Sequence, residues 1–111
     1  MTFDRVLGII GSEFKKGIIL YFETHKELLT DPDYNCAYKV FRNSYARENF
    51  GNVPVNMIGT VYAKQIDNLL NTTTAKEVDT FEQEVHHIAE IMRKNNFKES
   101  YNELFDDYFG E

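Results

Sequence analysis

The segment Glu84-Val85-His86-His87 has the first spacing in this chain that suggests chemistry. A carboxylate and an imidazole three positions apart share a helix face, and Glu-x-x-His is the spacing of ferritin-like di-iron helices. That chemistry needs a second such motif and two further glutamates facing a bundle interior. The remaining histidine, His25, has Phe22 three residues before it, so the second motif is absent. On a helical wheel Glu84 and His87 flank a core stripe, while His86 faces solvent with Glu90 one turn on, the pattern of a weak surface pair. A small metal-binding bundle therefore stands as a secondary reading, with no residue assigned as a ligand.

Cys36 sits in Tyr34-Asn35-Cys36-Ala37-Tyr38, which matches no cysteine-nucleophile signature. On an aromatic-rich helix a free cysteine behaves as a small buried hydrophobe. Being single, it excludes an intramolecular disulfide scaffold and a multi-cysteine zinc site. Gly8-Ile9-Ile10-Gly11 lacks the third glycine and the Lys-Ser/Thr of a phosphate loop, and no Gly-x-Ser-x-Gly occurs. The expectation is a chain that is not an enzyme and uses no cofactor.

Charge is more informative. Residues 77–111 carry ten carboxylates against three cations, a net of −7, whereas residues 1–76 carry eight against nine, a net of +1. The whole chain has 111 residues and a net charge of −6. Such a balance disfavours nucleic acid and anionic membranes as partners. One small basic cluster, Lys39, Arg42 and Arg47, is interleaved with Tyr38, Tyr45 and Asn43. Cations among aromatics are the pattern of nucleic-acid contact, so a helical DNA-binding regulator is the main alternative. Three cations with Asp33 and Glu48 nearby also make an ordinary surface.

These residues must be held by something. Glycine plus proline total eight residues, and neither Asn-Gly nor Asp-Gly occurs, which disfavours a turn-rich β fold. Val78, Phe81, Val85, Ile88 and Met92 recur at helical spacing and predict one helix over 75–94, with Thr74 and Glu77 as its capping box. Phe97, Tyr101, Leu104, Phe105 and Tyr108 predict a second over 97–109, with Glu99, Glu103, Asp106 and Asp107 on its opposite face. Residues 54–70 and 34–48 also keep the helical period, with Pro54 in a first turn and Asp31-Pro32-Asp33 as turn and cap.

The N-terminal third is ambiguous. Phe3, Leu7, Ile10, Phe14, Ile18, Tyr21 and Leu28 fit one long helix, yet Lys15-Lys16-Gly17 reads as a helix stop and Thr24 with Glu27 as a restart. Residues 18–23 then read as helix or, alternatively, as a short strand in an α+β arrangement.

The fold class predicted is all-α, a single-domain bundle of four or five helices spanning residues 1–111. No apolar run approaches the ~20 residues of a membrane span, and no secretory leader is recognisable, so a cytoplasmic location is expected. Sixteen Phe and Tyr residues leave a surplus suited to an interface or to self-association. The function expected is a non-catalytic interaction module: an acidic inhibitor, immunity protein or regulatory adaptor of the kind phages and mobile elements carry. It would dock on a basic partner protein through Tyr101, Glu103, Phe105, Asp106, Asp107 and Tyr108.

Overall fold

Five consecutive apolar residues, Ile18 to Phe22, have too few polar neighbours to sit on a surface, and the fold is arranged around them. The structure, a computed structural model, describes residues 11–95. They form α1 (Ser12–Thr24), a 3₁₀ turn (Lys26–Thr30), α2 (Pro32–Phe50), α3 (Val55–Thr72), a short α4 (Ala75–Asp79) and α5 (Glu82–Asn95). No strand occurs among the described residues, and the fold is all-α. The run that resembles a strand is helical because α1 is covered on several sides, by α2, α3, α4 and α5. A helix that is apolar all round belongs in a core. The predicted helix over 97–109 lies outside the described residues.

Two boundaries differ from the sequence expectation. Lys15-Lys16-Gly17 does not stop α1, which runs on to Thr24. Gly17 is there for packing. A Cβ built on it would lie 2.1 Å from the Phe81 ring, far inside van der Waals contact. The helix ends instead where the Thr24 hydroxyl donates to the carbonyls of Leu20 (3.1 Å) and Tyr21 (3.0 Å). Beyond it Thr24 and Glu27 start no α-helix, only the five-residue 3₁₀ turn.

The second difference is in residues 75–94, which are two helices and not one. The Thr74 hydroxyl accepts from the Glu77 amide at 3.2 Å, as the capping box predicts. After Asp79 the chain turns at Thr80, whose hydroxyl donates to the Glu77 carbonyl at 2.6 Å. The turn releases Phe81 from the helical stripe and lays its ring across Gly17, edge-on to Phe14 with centroids 5.7 Å apart.

Elsewhere the elements start where the sequence places them. The Asp31 carboxylate accepts from the Asp33 amide at 2.9 Å and caps α2, with Pro32 in its first turn. Pro54 occupies the N-cap position of α3. Cys36 is buried, its Sγ 3.8 Å from Met92 Sδ, where α2 meets α5. One charged side chain is enclosed as well. Lys15, fully buried on α1, is paired with Glu48 on α2. A buried ammonium left unpaired would be costly, so this pair fixes the register of the two helices.

The two interior glycines of α1 and α3 therefore predict opposite responses to the same substitution. Gly17→Ala displaces the Phe81 ring and should lower stability by about 1–3 kcal/mol despite alanine's better helix propensity. Gly59, with nothing within 4 Å of a built Cβ, should gain about 0.5–1 kcal/mol as alanine. Denaturant unfolding of both variants checks this, and in a Phe81→Ala background the penalty at position 17 should vanish.

Candidate functional site

His86 is exposed and its Nδ1 lies 2.6 Å from the Tyr34 hydroxyl, so its partner is Tyr34 and not Glu90. Glu90 instead pairs with Arg93. Tyr21 stacks on His25 with centroids 4.1 Å apart, and His86 approaches the Tyr21 ring edge at 6.5 Å. Among the described residues no group of three or more His, Cys, Asp or Glu side chains is placed to hold a metal ion.

The basic cluster of α2 lies on and around an aromatic core. Lys39 and Arg42 are half-buried and Arg47 is exposed. Arg42 lies over the Tyr38 ring, 5.6 Å from its centroid. Tyr38, Tyr45 and Asn43 are all buried. The two rings thus pack inward and offer no platform for stacking bases.

Tyr38 belongs to an internal chain of hydrogen bonds. Its hydroxyl donates to Glu23 Oε1 at 2.5 Å and lies 3.2 Å from the Tyr62 hydroxyl. This network ties α1, α2 and α3 together. Burial, and next the hydrogen bond to Glu23, push the Tyr38 phenol well above its ordinary value. Burial and the neighbouring Tyr38 raise Tyr62 further still.

Two features remain that a partner could use. The first is a cleft of about 420 Å³ between α1 and the start of α4. Phe14, Gly17, Leu20, Val78 and Phe81 form its apolar lining, and Glu13, Lys16, Thr73 and Glu77 its polar rim. The second is the distribution of charge. Three lysines of the first half are paired with nearby carboxylates: Lys15 with Glu48, Lys16 with Glu13 at 2.6 Å, and Lys26 with Glu23 at 3.9 Å. Glu77, Asp79 and Glu82, around the α4–α5 corner, are exposed and form no ion pair among the described residues. Their field reaches inward. Burial raises the Tyr21 phenol above its ordinary value, and Glu82 and Asp79 add to that shift.

The residues expected to carry partner binding, Tyr101, Glu103, Phe105, Asp106, Asp107 and Tyr108, lie outside the described residues. Sequence reasoning missed the cleft, because Gly17 reads as a helix terminator unless the ring that crosses it is known. Compared with known proteins, the chain matches no family model, no curated protein and no solved structure.

The tyrosine network sets an alkaline limit on stability. An unfolded tyrosine loses its proton near the ordinary value of 10.0, whereas folded Tyr38 and Tyr62 keep theirs. Above that pH the unfolded state binds fewer protons, so folding stability falls as pH rises. Below it the contribution is fully present. Unfolding free energy followed through and beyond pH 10 should decline, and Tyr62→Phe should make the decline shallower. A stability that stays level well above pH 10 contradicts the burial of these phenols.

Proposed function

We propose that this protein is a non-catalytic interaction module whose acidic C-terminal half docks on a basic surface of a partner protein. It acts there as an inhibitor, immunity protein or regulatory adaptor. The observation that carries this reading is the separation of charge by location. Glu13, Glu23 and Glu48 of the first half each pair with a lysine, whereas Glu77, Asp79 and Glu82 face solvent and form no ion pair among the described residues. In sequence the acidity continues beyond α5 through Glu99, Glu103, Asp106 and Asp107. Carboxylates in such numbers attract a cationic surface over roughly a Debye length, about 8 Å at physiological salt. They can also stand in for phosphates on a surface that normally holds nucleic acid. In sequence, Tyr101, Phe105 and Tyr108 add side chains of the type that anchors interfaces.

Charge steering acts mainly on association rate. Reversing Glu103, Asp106 and Asp107 to lysine should leave the circular dichroism spectrum unchanged. It should slow association with the partner recovered from the native host by at least about tenfold at low salt. The difference should shrink as salt rises. Wild-type association rates for this triple variant across a salt series would remove the acidic docking surface from the account.

A further inference from the structure

The cleft beside Gly17 has a composition that selects its occupant. Its volume, about 420 Å³, is within the range of ligand sites, roughly 300–1,000 Å³. The charged groups at its rim already have partners. Lys16 is paired with Glu13 at 2.6 Å, and Glu77 Oε1 accepts from the Thr74 hydroxyl at 3.0 Å. A polar small molecule would find few unmatched donors or acceptors there. What the cleft does offer is an apolar wall made by Phe14, Leu20, Val78 and Phe81.

Around that wall carboxylates outnumber the two cations, Lys16 and Lys76. Glu13 and Glu77 outnumber Lys16 at the rim, and Asp79 and Glu82 follow Glu77 along the chain, all four carboxylates exposed. An apolar floor within an acidic border is complementary to an apolar side chain carried on a cationic strand or helix. It opposes an acidic or phosphorylated segment by like-charge repulsion.

We infer that the cleft between α1 and α4 seats a leucine or phenylalanine side chain from a Lys/Arg-rich segment of the partner protein. The inference rests on the acidic-module reading above and adds to it an anchoring pocket within the described residues. Burying one such side chain contributes enough to separate a basic segment that has it from one that lacks it by at least about tenfold in affinity.

The test uses the full-length chain, ¹⁵N-labelled, at low ionic strength, and three synthetic peptides. The first has one phenylalanine flanked on both sides by lysine and arginine. The second replaces the phenylalanine with serine, and the third replaces the cations with glutamate. The first peptide should shift the amide signals of Gly17, Leu20, Val78 and Phe81 in a saturable way. The second should bind at least about tenfold more weakly, and the third should not bind. Combining Glu13→Gln with Glu77→Gln removes rim charge and keeps a residue type that the capping box accepts. This variant should weaken the first peptide several-fold without altering the circular dichroism spectrum.

If the first two peptides bind equally, or if the shifts fall only outside the cleft, the pocket assignment is overturned and the acidic docking surface stands. If the glutamate peptide binds as well as the cationic one, the charge preference is overturned. If neither cationic peptide binds, the pocket assignment is overturned, while the acidic docking surface is decided by the association rates of the triple variant.

Discussion

The Phe81 ring occupies the space that a side chain at residue 17 would need, and much of the described architecture follows from that contact. Because position 17 has no Cβ, a ring from the other end of the sequence can rest directly on the backbone of α1. To reach it, the chain must leave the helical path after Asp79, which is why a helix that begins with a good cap at Thr74 ends within five residues. The same step opens the space between α1 and α4 that becomes the cleft.

α1 is central because it has little polar surface to show. Its apolar run is enclosed by four other helices, and its one buried cation is matched by Glu48 from α2. Glu48 itself lies at the surface, but removing it would leave the buried Lys15 ammonium without compensation. The pair therefore fixes which turn of α2 lies against α1. α3 is attached differently. Ile58, Tyr62 and Ile66 are its only fully buried residues, and the hydrogen bond between Tyr62 and Tyr38 is the polar part of that contact. Val55 and Met57 on the same helix remain exposed. Two scattered apolar side chains are ordinary on a protein surface.

The helical class was legible wherever one face of a segment alternates with solvent at the helical period. Ile58, Tyr62 and Ile66 in α3, and Val85, Ile88 and Met92 in α5, are such stripes, and all are buried. Asp31 and Thr74 act as the caps their types suggest. Legibility fails in α1, where burial on all sides erases the periodic signal and makes helix and strand look alike. It fails again at Gly17 and Phe81. Each looks local, a terminator in one case and a stripe member in the other. Their meaning lies in a contact between residues 64 positions apart, to which no local pattern points. The same blindness hides the Tyr34–His86 and Lys15–Glu48 pairs. Charge asymmetry was readable as composition, but which lysines are paired internally required the fold.

The proposed docking role and the cleft both depend on the corner where α4 meets α5 being set against α1. The most direct measurement is the proton NMR spectrum of the full-length protein at Gly17. With the Phe81 ring over its backbone, the Gly17 α-protons should be shifted strongly upfield by the ring current and should show nuclear Overhauser contacts to the Phe81 ring protons. Gly17 α-protons at ordinary helical positions, with no contact to Phe81, would contradict the arrangement on which the site is built.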